Sequence, residues 1–130
     1  MEKIRIHDLD GNGLAFDLRH VLRALAPRSL GAKWMITSSI ESYFEATGEG
    51  GLRLEQLAEE RVQIIGSELL SIADNTWQVI WGDFIGFLHE APDTEWLIIR
   101  AVDSSFFEIE TSDQICTAAI KSHFHDVRVG

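Results

Sequence analysis

The chain has 130 residues, 45 % hydrophobic and 25 % charged, with 21 Asp and Glu against 11 Lys and Arg and a formal net charge of −10 at pH 7. A chain of this length buries roughly two-thirds of its unfolded surface, so one domain holds together without a metal or a disulfide staple. The apolar-to-charged balance excludes disorder despite the net charge.

The apolar runs, such as Phe84-Ile85-Gly86-Phe87-Leu88, are far shorter than the roughly 20 residues of a membrane span. Met1-Glu2-Lys3-Ile4-Arg5 has no secretory h-region, and the single Cys116 has no partner for an internal disulfide. A cytoplasmic protein with no membrane partner is expected. Residues 1–33 carry six basic and four acidic groups, and residues 34–130 carry five basic and seventeen acidic. So negative a surface repels phosphate, which argues against direct nucleic-acid binding, and it speeds encounter with a basic partner. Plain solubility explains such acidity too.

Along the chain, Lys3–Ile6 reads as a short first strand and residues 7–13 as turn. Leu14, Leu18, Val21, Leu22 and Leu25 then follow at helical spacing until Pro27 stops the helix near Ala26. From Lys33 to Ala46 the pattern alternates, with Trp34, Ile36, Ile40 and Phe44 on one parity. One long bent strand, or two with a break near Ser38-Ser39, fits. Gly48-Glu49-Gly50-Gly51 reads as a flexible loop. Leu54, Leu57, Ala58 and Val62 mark a helix with Glu55, Glu59 and Glu60 on its water side, and Ser67 is the expected N-cap of a second helix over Glu68–Ala73.

The remainder reads as two hairpins and a helix. Gly82-Asp83 suits a type II′ turn between Thr76–Trp81 and Phe84–Leu88, which makes a hairpin apolar on both faces that must be covered on both. In the second hairpin a three-residue loop, Asp103-Ser104-Ser105, pairs Ala101 with Phe107, Ile99 with Ile109 and Arg100 with Glu108. Thr111-Ser112-Asp113-Gln114 resembles a capping box opening a helix with a buried stripe of Cys116, Ala119, Ile120 and Phe124, and Val127–Val129 is a last edge strand. The expected fold is a single α+β domain over residues 1–130. Its mainly antiparallel sheet of about five to six strands packs with helices at both ends and short ones in the middle.

Short motifs supply little chemistry. Asp8-Leu9-Asp10-Gly11-Asn12-Gly13 resembles the first half of an EF-hand calcium loop, but loop position 12 is Arg19, a cation where a bidentate Glu belongs. The simpler reading is an Asx- and Gly-rich turn. His123 and His125 lie roughly 200° apart on a helix, so one metal reaches both only if the helix ends at Phe124. No metal and no cofactor is assigned. Asp103-Ser104-Ser105 is turn material, Cys116 is core, and Glu108 and Glu110, on one strand face, read as a solvated pair with Arg100 beside Glu108.

Two function classes follow. In size and charge the chain is similar to the immunity proteins with which bacteria neutralise nuclease toxins. That likeness implies an inhibitor that masks a basic partner with carboxylates standing where phosphates would. The expected contact surface is Glu41, Glu45, Glu49, Glu55, Glu59 and Glu60 with Trp77 and Trp81, tryptophan being favoured at binding hot spots. No catalytic residue is assigned. The alternative is a small enzyme whose site is assembled from dispersed His, Glu and Asp residues. It requires a concave pocket holding a His or a carboxylate of shifted pKa. Pairing of two copies through a strand edge or the 76–88 segment is compatible with either class.

Overall fold

Trp34 and Ile36 are fully buried while Lys33, Met35 and Thr37 around them are not, as a strand with one face on a core requires. The structure, a computed structural model, describes residues 1–11, 13–39 and 43–130. Its first half contains β1 (Glu2–Ile6), β2 (Leu9–Asp10), β3 (Gly13–Leu14), α1 (Leu18–Ala24), α2 (Arg28–Gly31), β4 (Lys33–Thr37), β5 (Glu45–Thr47) and α3 (Glu49–Glu60). Its second half contains β6 (Gln63–Ile65), α4 (Gly66–Asp74), β7 (Gln78–Phe87), β8 (Glu95–Val102), β9 (Phe106–Thr111), α5 (Gln114–His123) and β10 (Val127–Val129). The fold is α+β with an antiparallel sheet, in the order β10-β1-β9-β8-β7-β4-β6. β5 extends the β4 side, pairing with the first half of β7 while β4 pairs with the second. Together with β5 the sheet has eight strands among the described residues, more than the sequence pattern suggests, and β2–β3 form a separate small ribbon.

The helices gather on one face. Leu18, Val21 and Leu22 of α1, Leu54 and Leu57 of α3, Leu69 of α4, and Cys116 and Ile120 of α5 share a core with Ile4, Ile6, Trp34, Ile36, Phe84, Leu97, Ile99, Phe107 and Ile109 of the sheet. The opposite face is crossed by a row set by cross-strand register: Arg128, Arg5, Glu108, Arg100, Asp83 and Thr37, on six successive strands. The β8–β9 hairpin has the expected register, Ala101–Phe107, Ile99–Ile109 and Arg100–Glu108. Asp103 and Ser104 of its loop take the left-handed conformation, φ 51° and 60°.

Several local expectations are corrected. Gly82-Asp83 is no turn: β7 runs straight through it, so Trp81 pairs with Val102 and Phe84 with Ile99. The glycine is needed for space, because a Cβ at residue 82 would stand 2.5 Å from Cε2 of Phe44. Residues 48–51 are no loop either. Gly48 is the N-cap of α3 at φ 87°, and Gly50 and Gly51 form its buried first turn, pressed on the 72–76 backbone and on Ala46. α1 begins at Leu18, leaving Leu14 in β3, and α3 ends before Val62, which is 43 % exposed. α4 begins at Gly66, because its N–H donates to the Ala32 carbonyl and its Cα packs on Ser29. α5 is capped by Asp113, whose carboxylate accepts from the Ile115 N–H, while Thr111 Oγ1 accepts from Asp113 N–H and donates to the Trp96 carbonyl.

A Cβ at Gly51 would come within 2.7 Å of the Ala46 carbonyl carbon, whereas one at Gly31 meets nothing within 4 Å. Gly51→Ala is therefore expected to lower unfolding free energy by about 1–3 kcal/mol, and Gly31→Ala to change it by less than about 0.5 kcal/mol. Urea denaturation of the two variants checks the contrast, and equal effects would refute the packing argument.

Candidate functional site

α3 buries Leu54, Leu57 and Ala58 and turns Glu49, Glu59 and Glu60 to solvent, with Glu55 half-buried. α3 approaches β5 closely where Gly51 meets Ala46, and Glu45, the exposed residue before that buried alanine, is paired in register with Trp81. Trp81 is half-buried and packs on Tyr43 with ring centroids 6.0 Å apart. Trp77 is 82 % exposed, and its N–H donates to the Thr47 carbonyl at 2.9 Å, so the indole stands beside Gly48 at the head of α3. The candidate residues are thus spread over three places: Trp77 and Glu49 at the head of α3, Glu55, Glu59 and Glu60 toward its other end, and Glu45 and Trp81 at strand positions alternate to the buried Ala46 and Gly82. Glu41 lies outside the described residues. A groove of about 440 Å³ runs past Ser38, Phe44, Glu55, Glu59 and Arg61.

The carboxylates of this face make no close ion pair among the described residues, though Arg61, the C-cap of α3, lines the same groove. Among the described residues, none of Glu45, Glu49, Glu55, Glu59 and Glu60 joins an ion pair within 4.0 Å. Glu49 is at the favourable N-terminal end of the helix dipole. Glu59 and Glu60 sit at the opposite end, where the dipole disfavours them, and no basic side chain stands in that last turn.

The far face of the sheet behaves differently. Glu108 is 7 % exposed, so it and Glu110 are not the solvated pair expected. Arg100 Nη1 donates to Glu108 at 3.0 Å and to Glu110 at 2.7 Å, and Arg5 Nε donates to Glu108 at 3.0 Å. Asp83 faces Arg100 at 3.7 Å with one buried oxygen, Oδ1, unpartnered. Burial raises its pKa to about 6 against the pull of Arg100. The cluster is charge-paired across four strands and serves the sheet's register.

The other motifs resolve into structure. The Asp8 carboxylate accepts from the backbone N–H groups of His125 and Asp126, at 2.6–3.0 Å, and is spent on tying the β2–β3 ribbon to the chain's end. Asn12 of the same motif lies outside the described residues. α5 does end at His123, yet His123 Nδ1 is bonded to the Ala119 carbonyl at 2.8 Å, and the described residues contain no group of three metal-ligating side chains. Cys116 is buried and its thiol is pushed up to about 12, mainly by burial, so it is no nucleophile.

One group that motif reading passes over is Asp17, the N-cap of α1. An Asp immediately before a run of helically spaced leucines is the signal that marks it. Only 4 % exposed, it accepts from the Val79 N–H through Oδ1 at 3.0 Å and leaves Oδ2 buried without a partner. Burial raises its pKa to about 6, held back by the backbone bonds from Val79 and Leu18. Beside it, His20 Nδ1 accepts from the Asp17 N–H at 2.9 Å, and burial with Arg19 and Arg23 lowers that imidazole's pKa. Both line a cleft of about 470 Å³.

Compared with known proteins, the chain matches no family model, no curated protein and no solved structure. No helix of the described residues is long and apolar enough to cross a membrane.

The raised pKa of Asp17 gives a prediction of definite sign. The folded protein keeps the proton up to about pH 6, whereas the unfolded chain releases it near its ordinary value of 3.8. Stability from this group is therefore present in acid and lost as pH rises from about 4 to about 6. Asp17→Asn retains an oxygen for the Val79 N–H and does not titrate. The wild type is expected to lose about 1–3 kcal/mol relative to the variant across that window. Urea midpoints of both proteins at stepped pH measure the difference, and a pH-independent difference would refute it.

Proposed function

We propose that this protein works by binding a basic protein partner through the acidic face of β5 and α3, most concretely as an immunity or inhibitor protein that masks a nuclease-type toxin. The observation that supports this reading is the placement of Glu59 and Glu60. They occupy the end of α3 where the dipole opposes them, beside Glu55, with no ion-pair partner among the described residues. A cationic partner removes that penalty on binding, and complementary charge accelerates its capture. Trp77, at the head of the same helix, exposed and rigid at its backbone, supplies an aromatic anchor of the kind that dominates interface energetics.

The enzyme alternative has the pocket it requires at Asp17 and His20, but the pair lacks a catalytic couple. No hydrogen bond joins the two side chains: His20 faces the Asp17 backbone N–H, and the Asp17 carboxylate faces Val79. That geometry favours binding over proton transfer.

The test combines capture with stability. The triple variant Glu55→Gln, Glu59→Gln, Glu60→Gln is expected to be more stable than wild type by a few tenths to about 1 kcal/mol, because it removes repulsion and the dipole penalty. The wild type on a column should hold a basic protein from source lysate at about 50 mM salt and lose much of it at about 300 mM, where exposed charges are screened. The variant should fail to hold it at either. Equal capture by the variant, or no basic protein held at low salt, overturns the proposal.

A further inference from the structure

At the β6 end of the sheet, a cleft of about 390 Å³ opens between β6, β4 and the turn that follows β7. Its walls follow from strand register. Lys33 is paired with Ile65 on one side and with Phe87 on the other. The three side chains therefore share one face, opposite to the buried Trp34, Ile64 and Gly86. Leu88 and Pro92 close the cleft from the turn, where the Ala91 N–H donates to the Leu88 carbonyl at 3.1 Å. Beside them Gly31 leaves open space, since a Cβ there would meet no atom within 4 Å. The apolar wall is left uncovered: Ile65 is 44 % exposed, and Phe87 and Leu88 are half-buried.

The charge of this cleft is unlike that of the rest of the molecule. Lys33 is the only Lys, Arg, Asp or Glu of its lining, whose other polar side chains are Gln63 and His89. Lys33 is exposed and joins no ion pair among the described residues. Glu95, the carboxylate of the same cross-strand row, is paired with Phe87 on the side away from Lys33 and does not belong to the lining. A lysine stem on an apolar wall carries its ammonium to the rim, where an anionic group of a ligand meets it.

We propose that this cleft binds a small organic acid, its short apolar body against Ile65, Phe87, Leu88 and Pro92 and its carboxylate on the Lys33 ammonium. Burial of the body drives binding, and the ammonium selects the head group. An inorganic anion lacks the body, and a cationic ligand meets like charge. The volume is at the lower end of the roughly 300–1,000 Å³ of small-molecule sites, which keeps the body short. The chain's net charge of −10 opposes anions only at close range, because about 0.1 M salt screens it beyond roughly 10 Å. The inference does not depend on the partner-binding reading above.

The probe is octanoate, titrated into the full chain at about 0.1 M salt and followed by the amide resonances of residues 31–33, 63–65 and 87–91. Octanamide has the same body without the charge, and butyrate has the same charge on a shorter body. A saturable shift confined to those segments is expected for octanoate. Octanamide should bind about three- to fivefold more weakly, as a partly exposed ion pair warrants, and butyrate about tenfold more weakly or worse. Lys33→Gln, at an exposed position, should bring octanoate down to the affinity of octanamide and leave octanamide unchanged, while Lys33→Arg keeps the preference. Ile65→Ser should weaken both eight-carbon ligands alike. Equal binding of octanoate and octanamide, or a preference that survives Lys33→Gln, overturns the role of Lys33 and with it the proposal. Butyrate as tight as octanoate means an adventitious ion only, and no saturable shift removes the site. None of these readouts involves the α3 carboxylates, so this site and the partner-binding reading stand or fall separately.

Discussion

Strand β7 carries neighbours along both edges, and its core side is cut away at two positions to admit the rings those neighbours bring. Gly82 makes room for the Phe44 ring, and at Gly86 an added Cβ would stand 2.9 Å from Cη2 of Trp34. Those two rings then do much of the packing between sheet and helices. Phe44 meets Phe84 edge-on at 6.1 Å, while Trp34 tilts against Trp96 at 6.0 Å and donates from Nε1 to the buried Ser29 carbonyl at 2.8 Å. With β4 and β5 end to end on one side of β7, α3 is hung on β5 through Gly51. α3 thus takes its position through β5 from a steric gap in the adjoining strand.

The distribution of charge follows from what the cations are used for. Arg23 reaches Asp74 and joins α1 to the end of α4, and Arg28 reaches Asp113 and ties α2 to the cap of α5. Arg5 and Arg100 are absorbed by Glu108, Glu110 and Asp83 across the sheet. The helix-joining pairs are partly exposed and contribute little stability, so their role is to fix orientation. With these four arginines spent on internal geometry, the carboxylates of α3 are left without a close ion pair among the described residues.

How much of this was legible in the sequence depended on whether the signal was pairwise or steric. The β8–β9 hairpin was readable to the residue because apolar alternation and the Arg100–Glu108 charge match admit one register and penalise the next. The helix cores at Leu54, Leu57 and Ile120 were readable for the same reason, whereas over 33–46 the alternation left one bent strand or two open, and the structure has two. The glycines were not. At Gly82 and at 48–51 the same residue that permits a turn also permits close packing, and only the identity of the distant neighbour, Phe44 or Ala46, tells which use applies. The candidate acidic residues are marked by composition alone, which says that the chain is acidic and not which carboxylates share a surface. Asp17 and its cleft were missed because Val79, Trp77 and Thr47 are brought to it from 30 to 62 positions away, beyond the reach of spacing rules.

The two ends of the sheet have a bearing on how the protein behaves in a crowded solution. β10 and β6, its outermost strands, are three residues each, and β10 has Arg128 at its midpoint. A free ladder that short offers an incoming extended chain only one or two amide contacts before it runs out, and the central cation discourages a second copy from aligning there. A sheet so apolar in its interior, which would otherwise template fibrillar stacking, is thereby closed to growth at both margins.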